Sequence, residues 1–183
     1  SDTDHRVTYA RLIESPQRLS ASTERTPSRT SSTPPVPRVL AAVARHADIV
    51  GLSFVQHSRD IEALRTRLDA LGAHAIGIVL KIETRRAFEN LPELLLSAMA
   101  SQSAGVMIAR GDLAVECGYE RLAEVQEEIL WAAEAAHMPV IWATQVLETL
   151  AKTGQPSRAE ITDAAMGERA ECVMLNKGPH ILD

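Results

Sequence analysis

The feature that most constrains the fold is an alternation of apolar runs and helical segments that begins near residue 39. One strand together with the segment that follows it occupies roughly 30 residues, the length of a strand–helix–strand unit. Near-continuous apolar strands separated by helices are typical of a parallel sheet covered on both faces. The alternation therefore predicts an α/β protein with about five βα units. The predicted strands are 48–55, 75–83, 104–112, 139–145 and 171–176.

The segments between these strands carry signals for helix starts and stops. Ser58 is the predicted N-cap of a helix that Gly72 ends. Ser157 and Glu160 form the Ser-x-x-Glu pattern of a capping box at the start of another helix. The predicted helices are 58–72, 118–137 and 157–167, and the segment after residue 83 is predicted to be helical through about residue 100.

The first stretch of the chain has a different composition. Residues 15–38 are rich in Ser, Thr, Pro and Arg and hold few apolar side chains. Such a segment cannot bury enough surface to offset its ordering entropy. We therefore predict a flexible arm or linker over residues 1–38 and one folded domain over residues 39–183. A transit peptide is the alternative, and four acidic residues count against it: Asp2, Asp4, Glu14 and Glu24.

Composition excludes several functional classes. The net charge of -5 gives no basic face for nucleic acid. Cys117 and Cys172 are the only cysteines and show no zinc spacing, which suits a reducing cytosol. No apolar run is long enough to span a membrane. The composition thus predicts a cytoplasmic protein that binds neither nucleic acid nor a membrane.

Two architectures accommodate repeated βα units, an open doubly wound sheet and a (β/α)8 barrel. No glycine-rich nucleotide fingerprint follows any predicted strand. Polar side chains instead gather at the carboxyl ends of the strands, where (β/α)8 barrels place their catalytic groups. We therefore predict an incomplete TIM barrel of about five βα units. The polar residues in question are Ser53, Lys81, Glu83, Arg110, Asp112, Thr144, Gln145, Asn176 and Lys177.

The residues at two successive strand ends suggest a cation site. Because side chains alternate along a strand, we expect Lys81 and Glu83 to share one side, and likewise Arg110 and Asp112. Two converging carboxylates, Glu83 and Asp112, with room for water and substrate oxygens suit Mg²⁺. Lys81 would bring a positive charge for an anionic substrate or a transferring phosphoryl group. The N–H groups of Gly111 and Asp112, near a helix start, would face an anion.

Simpler interpretations stand beside this one. A lone Lys-x-Glu at a strand end is commonly a solvated ion pair. A Thr-Gln pair is usually turn or cap chemistry. The tripeptide Arg-Gly-Asp at residues 110–112 also matches a cell-adhesion motif, which requires an exposed loop of a secreted protein.

Five stretches follow one another along the chain: LKIET, MIARGDLAVE, PVIWATQVLE, PSRAEITDAA and CVMLNKG. In this order they resemble the second half of the pyruvate kinase catalytic barrel. The resemblance covers about residues 40–180, and its strand-end motifs are specific as a set. It implies the conversion of phosphoenolpyruvate and ADP to pyruvate and ATP.

The resemblance also implies roles for individual residues. Glu83 and Asp112 would bind the essential Mg²⁺, for which Mn²⁺ can substitute. Lys81 would stabilise the phosphoryl group in transfer, and the N–H groups of Gly111 and Asp112 would hold the substrate carboxylate. Thr144 would lie near the enolate carbon that is protonated. Three further residues would assist: Ser53 near the phosphoryl group, and Arg110 and Gln145 as supporting residues.

The sequence also departs from the family pattern. The family usually has glycine where this chain has Ala114, and Ser-Gly-Glu-Thr where it has residues 176–179. The motifs of the first three barrel strands, including the K⁺ site that the family implies, do not precede residue 48. Because five strands cannot close an eight-stranded barrel, we expect an oligomer or a complementing chain, and no full activity from this chain alone.

Two other functions stay open at this point. One is a Mg²⁺-dependent aldolase or lyase acting on pyruvate-like enolates, because such barrels also place a Glu and an Asp on successive strands. The other is a non-catalytic remnant that binds a partner through open sheet edges.

Overall fold

The computed structural model describes residues 7–10 and 36–180, with side chains described from Leu40 to His180. Six strands and eight α-helices are found in these ranges. The strands are β1 (Val7–Ala10), β2 (Ile49–Leu52), β3 (Gly77–Ile82), β4 (Ala104–Ala109), β5 (Val140–Val146) and β6 (Cys172–Leu175). The helices are α1 (Val36–Val43), α2 (Ser58–Ala70), α3 (Arg85–Glu89), α4 (Leu91–Ala98), α5 (Arg110–Cys117), α6 (Leu122–Ala135), α7 (Glu148–Thr153) and α8 (Arg158–Gly167).

The six strands form one parallel sheet in the order β1-β2-β3-β4-β5-β6. Val50 lies opposite Ile78, Leu80 opposite Val106, and Ile108 opposite Trp142. Strands that are neighbours in sequence are thus neighbours in the sheet, as in a (β/α) barrel. The predicted fold class, a parallel α/β partial barrel, is confirmed.

Strand β1 was not predicted. Its four residues, Val7–Ala10, lie inside the predicted flexible arm and pair with β2 instead. Helix α1 also begins within the last residues of that arm. The remainder of the predicted arm, residues 1–6 and 11–35, lies outside the described residues.

The two faces of the sheet have different surroundings. Ile78, Leu80 and Ile82 of β3 belong to the large core cluster that also contains the helix residues Ile61 and Leu64. On the opposite face of the sheet, a smaller buried cluster consists of Val79, Met107 and Ala143. Because strand side chains alternate, Lys81 shares the face of Val79 rather than that of the helices. The fold thus places the Lys81 side chain on the concave side of a barrel-type sheet.

Two helix boundaries differ from the prediction. Helix α2 has His57, not Ser58, as its N-cap, and the His57 N–H donates to Asp60. The Ser58 hydroxyl is used elsewhere, since it donates to Glu93 of α4 at 2.5 Å. The predicted helix over 118–137 is a short 3₁₀ helix, Tyr119–Arg121, followed by α6.

The capping box predicted for α8 is confirmed. The Ser157 hydroxyl accepts from the Glu160 N–H at 3.2 Å, and the Ser157 N–H donates to the Glu160 carboxylate at 2.9 Å. These reciprocal bonds satisfy two donors at the start of the helix.

The prediction of a strand over 104–112 is wrong in its last three residues. Strand β4 ends at Ala109, and α5 begins directly at Arg110. Within the described part of the chain, no helix is long and apolar enough to cross a membrane.

Candidate active site

The carboxyl ends of β2, β3, β4 and β5 meet at one edge of the sheet, because all four strands run in parallel. Each strand end carries one or more of the predicted site residues. Ser53 directly follows β2, and Arg110–Asp112 directly follow β4. Lys81 is the last residue but one of β3, and Glu83 comes just after that strand. Thr144 and Gln145 lie near the end of β5.

Lys81, Glu83 and Ser53 form one hydrogen-bonded cluster. The Lys81 ammonium donates to Glu83 Oε1 at 2.5 Å and to the Ser53 hydroxyl at 3.1 Å. The second carboxylate oxygen, Oε2, accepts from the backbone N–H of Phe54 at 2.6 Å. The Glu83 side chain is only 2% exposed, so this is not the solvated ion pair that the simpler interpretation assumes.

The position of Glu83 is fixed by the chain on both sides. Ile82 before it is fully buried in the sheet, and Thr84 after it is the N-cap of α3. The Thr84 hydroxyl accepts from the Ala87 N–H at 3.1 Å. A buried strand thus passes directly into a capped helix, and the carboxylate lies at the junction.

Arg110 joins β4, β5 and α8. Its Nε donates to the carbonyl of Ala143 at 3.0 Å, and its other two nitrogens donate to the Thr144 carbonyl and to the Asp163 carboxylate. The guanidinium also lies over the Trp142 ring, 4.8 Å from its centroid. Arg110 is 7% exposed, so its charge is buried and is balanced by Asp163.

The end of β5 has irregular backbone. The register with β6 shifts between Trp142 and Val146, and the Ala143–Thr144 peptide bond is cis. Gln145 and Leu147 both have left-handed backbone, with φ of 57° and 49°. Arg110 therefore binds two carbonyls in a segment that does not follow the regular ladder.

Gly111 lies against this segment. A Cβ atom on Gly111 would be 3.3 Å from Thr144 Oγ1 and 3.9 Å from Gln145 Oε1. The structure therefore brings together three more of the predicted residues, Gly111, Thr144 and Gln145. The absence of a side chain on Gly111 is what leaves room for the Thr144 hydroxyl.

Asp112 has different surroundings from Arg110. It is exposed in the first turn of α5, while Arg110 is buried in the same turn. The prediction that the Arg110 and Asp112 side chains lie on the same side of a strand was wrong. Residues 110–112 are helical, so their side chains do not alternate with a period of two. Among the described residues, no three His, Cys, Asp or Glu side chains are close enough to hold a metal ion together.

The last predicted pair lies beside the same edge. The Asn176 N–H donates to the Val146 carbonyl at 3.3 Å, and Lys177 is exposed. The backbone then packs onto α7, where the His180 N–H donates to the Ala151 carbonyl at 3.0 Å.

Comparison with known families decides the membership of the chain. The profile of the pyruvate kinase barrel domain matches residues 36–178. The chain belongs to the pyruvate kinase family.

Individual relatives agree with this result. A pyruvate kinase of Hypocrea jecorina is 38% identical over 136 residues, which cover 73% of this chain and 24% of that protein. One of Encephalitozoon cuniculi is 39% identical, covering 70% of this chain and 28% of that protein. A pyruvate kinase of Nicotiana tabacum, named as the cytosolic isozyme, is 36% identical, covering 73% of this chain and 26% of that protein. The chain thus spans about a quarter of the length of these curated relatives.

Three residues of this pyruvate kinase family chain that contact the site were not predicted from sequence. Asp163 pairs with Arg110 across 53 positions, and Trp142 lies beneath the guanidinium. Phe54 contributes its backbone N–H, which donates to Glu83. The polar strand-end pattern could not find them, because Trp142 and Phe54 are apolar and Asp163 lies in a helix.

The two cysteines are expected to differ in reactivity. Cys117 is buried at the end of α5, and burial raises the pKa of its thiol, while Cys172 is exposed on β6. A raised pKa leaves less reactive thiolate at a given pH. At pH 8 we expect iodoacetamide to modify Cys172 well before Cys117, as followed by mass spectrometry of the digested chain. Equal rates in the folded protein would contradict the buried position of Cys117, and unfolding in urea should make the two rates converge.

Proposed function

We propose that this chain carries the metal- and phosphoryl-binding part of a pyruvate kinase active site. The complete active site would convert phosphoenolpyruvate and ADP to pyruvate and ATP. The observation that carries the proposal is the Lys81–Glu83 ion pair at the end of β3, whose carboxylate is 2% exposed. Gly111, at the start of α5, and Thr144 of β5 lie against each other at the same edge of the sheet. Family membership favours phosphoryl transfer over the aldolase or lyase alternative.

The donor set of the chain fits a hard divalent cation. Glu83 and Asp112 offer only carboxylate oxygens, and Mg²⁺ is commonly bound through one or two carboxylates together with water and substrate oxygens. When bound, the cation would neutralise negative charge on the substrate oxygens.

The other side chains have roles that follow from their charges and positions. In the reaction, the bond between phosphorus and the enolate oxygen breaks, and a new bond forms to a terminal oxygen of ADP. The Lys81 ammonium would stabilise the negative charge on the phosphoryl group during this transfer. The N–H groups of Gly111 and Asp112, at the start of α5, would hold the substrate carboxylate. Thr144 would lie beside the enolate carbon, which takes up a proton to give pyruvate.

The other expectations stay predictions. They are the need for K⁺, inactivity of the isolated chain, an oligomer or complementing chain, and a cytoplasmic location.

The test measures Mn²⁺ binding by electron paramagnetic resonance, with and without oxalate, an analogue of the pyruvate enolate. We expect oxalate to tighten Mn²⁺ binding, and Asp112→Ala to weaken it by more than about tenfold, since even residues that only support metal ligands contribute 10–100-fold. Asp69→Ala, an exposed aspartate at the end of α2, is the matched control and should change nothing. If the unmodified chain binds no Mn²⁺, it is a non-catalytic remnant and the proposal is wrong.

Gly111→Ala should separate binding from stability. The new methyl group would lie 3.3 Å from Thr144 Oγ1, so the hydroxyl must shift. Alanine is favoured over glycine in a helix by roughly 0.5–1 kcal/mol, so the free energy of unfolding should not fall. We expect weaker oxalate-dependent Mn²⁺ binding with an unchanged urea midpoint. Loss of stability in parallel with binding would show that the methyl group disrupts the fold rather than the site.

A further inference from the structure

The residue that follows Ser53 has unusual backbone geometry. Phe54 has φ of 54°, in the left-handed region, and its side chain is 42% exposed. Residues other than glycine rarely adopt this conformation, and when they do the strain is often found at functional sites.

The backbone of Phe54 makes a specific contact. Its N–H donates to Glu83 Oε2 at 2.6 Å, while Glu83 Oε1 accepts from Lys81. The two oxygens of a carboxylate that is 2% exposed are thus held by different groups. Hydrogen bonds to ionised acceptors are about twice as strong as neutral ones, so the contact can determine the orientation of the carboxylate.

We infer that Phe54 is a positioning residue for Glu83, and that it acts through its left-handed backbone rather than through its ring. The N–H of Phe54 fixes the plane of the carboxylate and leaves Oε1 directed at Lys81. The consequence for cation binding rests on the proposed function, whereas the contact itself does not.

Two substitutions at Phe54 distinguish backbone from ring. Phe54→Gly removes the ring but keeps the N–H and adopts positive φ without strain. Phe54→Val keeps an apolar side chain, but its β-branch disfavours positive φ. We expect Phe54→Gly to bind Mn²⁺ in the presence of oxalate as the parent does, and Phe54→Val to bind about tenfold more weakly, the effect of losing one hydrogen bond to a charged group. Urea unfolding of both variants checks that each is folded.

A second measurement needs no metal. The chain has two phenylalanines, Phe54 and Phe88, so labelling with ¹⁵N-phenylalanine gives two amide signals. The Phe88 N–H donates to the Thr84 carbonyl at 3.1 Å and is an internal control. Because a short bond to a carboxylate deshields the amide proton, we expect the Phe54 signal to move upfield in Glu83→Gln, and the Phe88 signal to stay in place.

The outcomes separate the inference from the proposed function. An unmoved Phe54 signal in Glu83→Gln overturns the inference, whatever the metal result. Equal weakening in Phe54→Gly and Phe54→Val also overturns it, because the ring would then be responsible. If the parent chain binds no Mn²⁺, the proposed function fails, and the amide signals still decide whether the Phe54 N–H is bound to Glu83.

Discussion

Replacement of Arg110 by methionine is expected to lower the free energy of unfolding by about 3 kcal/mol, the low end of the loss seen when one partner of a buried ion pair is removed. Asp163 would lose its partner, and the carbonyls of Ala143 and Thr144 would lose their donors. Unsatisfied buried acceptors alone cost about 1–3 kcal/mol each. Methionine fills a similar volume over Trp142, so the loss would come from hydrogen bonding and charge rather than from a cavity.

Urea unfolding followed by circular dichroism measures this loss. Arg121→Ala is the control, because Arg121 pairs with Glu124 on the surface, where both side chains are about half exposed. We expect no measurable change in that variant, as for most exposed ion pairs. The stability of Arg110→Lys should lie between those of Arg110→Met and Arg121→Ala. Lysine keeps the positive charge but lacks the planar guanidinium group that binds several acceptors. An Arg110→Met variant as stable as Arg121→Ala would show that the bonds of Arg110 add nothing to the fold.

The strands that were predicted correctly share one property. β3, with the sequence GIVLKI, and β4, with AGVMIA, are apolar over nearly their whole length because both faces of the sheet are covered. β1 has no such signal. It is four residues long, VTYA, and lies in a polar, proline-containing segment, so only its pairing with β2 identifies it. The two strands lie more than 40 positions apart in the sequence, so their pairing depends on the whole fold and not on the local sequence.

The site was predictable to the extent that it follows strand periodicity. Lys81 and Glu83 were expected to come together because they are two positions apart at a strand end, and they form an ion pair. The same argument failed for Arg110 and Asp112, because an apolar run does not show where a strand gives way to a helix. The partners of Arg110 could not be predicted either, since two of them are backbone carbonyls of β5 that lie 33 and 34 positions away in the sequence.

The largest effect is expected for Lys81→Met. It leaves the Glu83 carboxylate, 2% exposed, without its ammonium partner, and breaking such a buried pair typically costs about 3–5 kcal/mol. Glu83→Gln should also destabilise, because the amide group would direct a donor at the Lys81 ammonium. Urea unfolding of both single variants measures these losses. Lys152→Met, which removes an exposed partner of Glu148, is the control and should leave the urea midpoint almost unchanged.

The double variant Lys81→Met/Glu83→Gln tests whether the Lys81–Glu83 ion pair serves the stability of the fold or the binding of a cation. The glutamine carbonyl can still accept from the Phe54 N–H, and neither position 81 nor position 83 then carries a charge. We therefore expect the double variant to be more stable than Lys81→Met alone, with a coupling of about 1–3 kcal/mol between the two positions. We nevertheless expect the double variant to lose Mn²⁺ binding, because the Glu83 carboxylate is gone. Recovered stability without recovered binding would mean that the pair is kept for its chemistry. Additive losses would mean that the two side chains stabilise the fold independently.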